Sequence, residues 1–215
     1  MLSKEVLMTL YDRLFQAYGP QKWWPAETAF EMMAGAVLTQ NIAWGNVEKA
    51  IANLKQAGQL DLEAIHRLGH ERLAELIRPS GYFNVKARRL KNLCAWLLSQ
   101  GGLDSLQEFP TDTLRQALLS VNGIGPETAD DILLYAFARP VFVIDSYTRR
   151  LLKKLTLLNV PDVDYEGLRH CFETALEPDP VMFNEYHALI VQHAKQKCTD
   201  QADCKHCLVE ESITN

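Results

Sequence analysis

The chain has 215 residues, 47% hydrophobic and 23% charged, enough to bury a sizeable core and unlike a low-complexity or disordered polymer. A formal net charge of −5 argues against a uniformly basic coat for polyanions. It leaves room for a basic face, because Lys86, Arg88, Arg89 and Lys91, then Arg149, Arg150, Lys153 and Lys154, then Lys195 and Lys197 are clustered. No run of about 18 apolar residues occurs, so no membrane span is expected. The first residues mix Lys4, Glu5, Asp12 and Arg13 into their apolar pattern, unlike the apolar core of a secretory leader. A cytoplasmic chain is expected.

Apolar residues recur at helical spacing nearly everywhere, without a convincing alternating strand. The pattern predicts a helix over 3–18, ended by Gly19-Pro20, and a loop with Trp23, Trp24 and Pro25. A second helix covers 28–38 and is interrupted by Thr39-Gln40-Asn41. Trp44 follows the interruption, and the next helix carries Val47, Ile51 and Leu54 to near Gly58. Short helices are expected at about 61–67 and 70–77. Residues 84–99 read as amphipathic, with Leu90, Leu93 and Leu97 inside and the Lys/Arg cluster outside. Thr111 is placed as the cap of a helix through Leu119, and further helices are expected at about 146–156, 165–176 and 181–197. Cys94 and Cys171 fall in apolar helical patterns and are expected to be buried thiols.

The stretch 121–145 carries the strongest chemical signal. Gly123 and Gly125 flank Ile124 in a tight turn, where glycine permits positive φ and close approach to the backbone. Pro126 suits a first helical position, and outward amides at such a turn favour an anion such as phosphate. Pro140 is expected to end that helix, after which the apolar residues 141–144 carry Asp145. Asp145 reads either as a cap of the following helix or as a placed carboxylate for catalysis.

The Gly-Ile-Gly hairpin with Asp145 downstream resembles the helix–hairpin–helix DNA glycosylases of the endonuclease III superfamily. The run Trp23-Trp24-Pro25, Phe30-Glu31, the segment 35–41, Trp44 and the segment 77–90 look like the bacterial 3-methyladenine DNA glycosylase subfamily. The resemblance implies an all-α fold of two packed helical domains with a cleft between them. One domain is expected over 27–135, ending in the hairpin helix, and the other over 1–26 plus 136–215. The implied partner is double-stranded DNA with a damaged base, bound by a monomer that associates with the nucleoid. The implied activity is removal of an alkylated purine, with Asp145 stabilising the positive charge that builds on the sugar.

The same resemblance assigns the remaining candidates. Glu127 stands where family members that also cut the backbone carry lysine, which points to water as nucleophile and to no cofactor for hydrolysis. Trp24, Trp44, Trp23 and Pro25, with Lys195, are assigned to a base pocket that prefers a cationic ring. Gln40 and Asn41 fall where a side chain fills the gap left by a flipped nucleotide, with a helix C-cap as the alternative for Asn41. Asn122, Gly123, Gly125 and Thr128 are expected to hold phosphate through backbone amides and the Thr hydroxyl.

Cys198, Cys204 and Cys207 give C-x5-C-x2-C, one thiolate short of the four that hold a [4Fe–4S] cluster in many relatives. A remnant loop with free thiols is preferred there; a cluster, or zinc completed by His206, is the alternative. Two other functions remain open from the sequence: an endonuclease III-like glycosylase on damaged pyrimidines, and a non-catalytic hairpin protein that binds DNA.

Overall fold

Side-chain caps start several helices where the sequence places them. The Ser3 hydroxyl accepts from the Val6 amide at 3.3 Å and opens α1, Lys4–Tyr18. Thr28 accepts from Glu31 N at 3.0 Å and opens α2, Ala29–Leu38. Each satisfies an amide that the first helical turn leaves unpaired. The computed structural model describes residues 2–21, 23, 26–155 and 163–198, which form twelve α-helices and no strand. None of these helices is long and apolar enough to cross a membrane. The chain divides into two compact units, 26–137 and 1–25 with 138–215.

The first unit is built around α2, in which every residue from Phe30 to Leu38 is buried. Ala34, Gly35 and Ala36 keep the helix slim, and it touches α3 (Trp44–Gln56), α6 (Phe83–Ser99) and α9 (Pro126–Asp131). Buried Glu31 is neutralised by Lys55 at 2.9 Å. α4 (Leu62–Arg67) and α5 (His70–Leu76) pack on α6, and α7 (Leu103–Leu106) leads to α8 (Thr111–Leu119). Thr111 is the first helical residue of α8, and the cap position belongs to Pro110, whose side chain has no polar atom to make a cap bond. Arg115 of α8 meets Asp130 of α9 through two bonds, 2.6 and 3.0 Å, both groups buried.

The basic cluster of α6 is not all outside. Lys86 is 1% exposed, and its ammonium donates to Leu38 O at 2.7 Å and Ser80 O at 2.6 Å. It thereby fastens the end of α2 to the 3-10 turn Arg78–Ser80. Its spacing from Leu90, Leu93 and Leu97 puts it on the inner face, a position its residue type disguises. Lys91 donates to His66 O at 2.8 Å and Leu68 O at 2.6 Å, closing the end of α4.

Burial, with the nearby Arg89 charge, pushes the Lys86 ammonium down to about 8. Between that value and the ordinary lysine range, the unfolded chain binds a proton that the folded chain has lost, so stability from this group rises with pH. The urea-unfolding free energy of the wild type relative to Lys86→Met is expected to grow between about pH 8 and 10. A difference that stays flat across that window would contradict this account.

The helix begun by Pro126 does not run regularly to Pro140. After Asp131 it loosens into a π-helical stretch, Ile132–Ala136, and Ala138 takes a positive φ of 49°. The chain then enters the second unit, where Val141, Phe142, Val143 and Ile144 are buried. This unit holds α1, α10 (Ser146–Lys154), α11 (Tyr165–Ala175) and α12 (Pro180–Lys197), and α12 is its spine, packed on α1 and α10. Phe142 stacks on Phe172 with centroids 4.1 Å apart and meets Phe183 and Tyr186 edge-on. The Tyr186 hydroxyl donates to Leu7 O at 2.7 Å, so the large ring is buried without losing its polar bond. Cys94 is buried, whereas Cys171 on α11 is half-buried.

Candidate active site

In the first unit the hairpin is fixed from three sides. Gly123 takes φ +101°, and a Cβ there would collide with Arg89 Cγ, so glycine is required on both counts. Gly125 differs: it is extended, with φ −94° and open space around a Cβ, so its backbone does not demand glycine. Gln40 reaches the hairpin from the loop after α2, donating to Gly123 O at 3.1 Å and to the Thr128 hydroxyl at 2.9 Å. Arg89 donates to the Gln40 carbonyl oxygen at 2.5 Å. Thr128 is buried and its hydroxyl faces Gln40. Asn122 is exposed, and its carbonyl accepts from Asn92 at 3.0 Å.

Asn41, beside Gln40, is exposed with φ +56°. The two neighbouring amides therefore have different settings, one bonded to the hairpin and one at the surface. Trp44 is the first residue of α3 and half-buried. Trp24 and Pro25 lie outside the described residues.

In the second unit Asp145 is both the cap of α10 and a buried carboxylate. Its Oδ1 accepts from Thr148 N at 2.7 Å and from the Thr148 hydroxyl at 2.9 Å. Its Oδ2 lies 3.6 Å from His187 Nε2, with the aspartate side chain 13% exposed. Burial is the largest single influence on this carboxyl and acts to raise its pKa. The His187 charge, with the Thr148 donors, acts in the other direction and holds it below the ordinary value. Asp145 is therefore a carboxylate at neutral pH.

Lys195 extends from the last turn of α12, its ammonium 5.3 Å from the centroid of Trp23 and 5.5 Å from that of Tyr147. Burial lowers its pKa, and the charge of Asp145 opposes that shift. The structure thus brings Lys195 and Trp23 together and adds Tyr147, whose ring also carries Arg150 at 5.3 Å. Cys198 is buried at the end of α12, and Cys204, Cys207 and His206 lie outside the described residues. Among the described residues no group of three or more His, Cys, Asp or Glu is placed to hold a metal ion. Three tail thiols do not make the four-thiolate set of a [4Fe–4S] cluster.

His187, Thr148, Tyr147 and Arg89 are absent from the sequence assignment. Thr148 carries a local signal, three residues after a capping Asp. His187 carries none, being one polar residue in the buried pattern of α12.

Residues 34–173 match the HhH-GPD superfamily base excision DNA repair protein family. The chain belongs to this superfamily. HhH-GPD proteins of this kind are DNA N-glycosylases, and this chain is a DNA glycosylase of base excision repair. A protein named as a DNA repair glycosylase in Methanocaldococcus jannaschii is 44% identical over 210 residues, covering 96% of this chain and 95% of that one. Endonuclease III of Sulfolobus acidocaldarius is 26% identical over 184 residues, 85% of this chain and 80% of that protein. Among solved structures, H. pylori 3-methyladenine DNA glycosylase (MagIII) bound to 1,N6-ethenoadenine superposes with TM-score 0.76 at 34% identity, covering 90% of this chain and 97% of that one. An endonuclease III–DNA complex superposes with TM-score 0.81 at 21% identity, which concerns the fold alone.

Proposed function

We propose that this HhH-GPD glycosylase is monofunctional and removes alkylated purines, 3-methyladenine first among them, by hydrolysis. The observation that carries the hydrolytic reading is Glu127 in the first turn of α9. A carboxylate there cannot attack C1′ as an amine does, and it suits the positive end of the helix. Of the other candidate amines, Lys86 and Lys91 on α6 are bonded to main-chain carbonyls, and the Lys195 ammonium sits over the Trp23 and Tyr147 rings.

The chemistry balances without a cofactor. Methylation at N3 leaves the purine positively charged, so when the C1′–N9 bond breaks its electron pair stays on N9 and the base departs neutral. Asp145 stabilises the positive charge that develops on the sugar and orients a water. The water oxygen bonds to C1′ and its proton passes to the carboxylate or to solvent.

Selection falls to aromatic faces. The ammonium of Lys195 already sits over Trp23 and Tyr147, the arrangement expected of rings that attract a cation. In this reading Trp24, Pro25 and Trp44 also take part in choosing the base. The amides at Asn122, Gly123 and Gly125, with Thr128 supporting the turn from inside, hold phosphate; Asn41 enters the gap left by the flipped nucleotide while Gln40 stays on the hairpin. The 34% identity with a 3-methyladenine glycosylase supports the substrate. Such an enzyme works as a monomer on the cytoplasmic chromosome.

Excision assays on duplexes with 3-methyladenine, 7-methylguanine, hypoxanthine, uracil or thymine glycol test this. Release of the alkylated purines ahead of the pyrimidines is expected. Preference for thymine glycol would transfer the chain to the endonuclease III type, and failure on all five would overturn the enzyme reading.

A further inference from the structure

Capping α10 uses only one oxygen of Asp145. Oδ1 accepts both Thr148 bonds, while Oδ2 is turned to α12, where His187 Nε2 stands 3.6 Å away. That separation is longer than a hydrogen bond, so the pair acts through charge when the imidazole carries its proton. His187 is 4% exposed and lies between Tyr186 and Ala188, both fully buried. A carboxylate set this deeply loses most of the water that ordinarily keeps it ionised.

We propose that His187 is a positioning residue for base excision: it fixes Oδ2, the oxygen the helix cap leaves for the sugar, and keeps Asp145 a carboxylate where water is scarce. The inference rests on Asp145 carrying the reaction. His187 itself does not touch the substrate. Thr148 alone would orient the carboxyl but supplies no charge.

The surrounding charges leave this role to His187. Lys195, also on α12, lies in the field of Asp145, and its ammonium is drawn to the Trp23 and Tyr147 rings. From α10, Arg149 donates to Val163 O at 3.0 Å and Arg150 to Cys198 O at 3.4 Å. Thr148, on the same helix, carries no ionisable group.

Loss of His187 removes a downward influence on the Asp145 carboxyl and leaves burial, which acts upward. The acid limb of the rate–pH profile then moves to higher pH. The test combines carbon-13 titration of the Asp145 carboxyl in the free protein with single-turnover release of 3-methyladenine, for wild type, His187→Gln and His187→Ala. In both variants the Asp145 midpoint and the acid limb are expected to rise by about one pH unit, a tenfold loss at the acid end. An unchanged midpoint in either folded variant overturns the proposal. In the wild type the His187 Nε2 resonance must show an inflection at the Asp145 midpoint; its absence overturns the proposal even where both variants fail to fold. If wild type releases no base, the proposed function falls, while the two titrations still decide the role of His187.

Discussion

Asp145→Asn is expected to slow release of 3-methyladenine by about 10²- to 10⁴-fold while DNA affinity and folding are retained. The substitution isolates charge from shape. Asparagine is as good an N-cap as aspartate, so its side-chain oxygen still accepts from Thr148 N and α10 keeps its start. What disappears is the negative charge beside the developing cation. Because the Asp145 carboxyl lies below its ordinary value, the wild-type rate is expected to hold through neutral pH. It declines only as pH falls through that lowered value, where the carboxylate gains its proton. Single-turnover rates with saturating enzyme measure the loss, and a binding isotherm on the same duplex measures affinity. A rate within threefold or so of wild type would show that Asp145 does not carry the reaction.

Arg115→Ala or Asp130→Ala is expected to destabilise the first unit by about 3–5 kcal/mol. The two side chains are 6% and 0% exposed and share two charge-assisted bonds between α8 and α9, the helices on either side of the hairpin. Removing the guanidinium takes two charge-assisted bonds from a buried carboxylate, a larger effect than the loss of a surface pair. Replacing both at once, Arg115→Met with Asp130→Leu, is expected to recover most of the loss, since neither charge of the pair is then left without the other. Urea unfolding of the three variants gives the values. A single-variant loss below about 1 kcal/mol would show that this pair does not hold the hairpin's helices together.

The helical architecture was legible because its signals are local. Ser3 and Thr28 cap where they stand in the sequence, and the apolar spacing of α6 and α12 survives in the fold. Lys86 was misplaced because residue type was allowed to outweigh position: its spacing from Leu90 puts it inside, where two carbonyls receive its ammonium. The π-helical loosening after Asp131 answers to packing on α2 and has no local mark. Gly123 and Gly125 look alike in sequence, yet only the first needs positive φ, because only there does Arg89 fill the place of a side chain. At Asp145 the cap is seen directly in Oδ1, and it leaves Oδ2 uncommitted to the cap, so capping does not exclude the catalytic role proposed for this residue. His187 is far away in the chain and became visible only when α12 was laid beside α10.

The measurement that bears most directly on hydrolytic excision at Asp145 is product analysis after one turnover on a 3-methyladenine duplex, with and without borohydride. Free 3-methyladenine, an intact abasic strand and no covalent protein–DNA adduct are the predicted result. A borohydride-trapped adduct, or a strand cut at the abasic site, would contradict it by requiring an amine nucleophile in place of water.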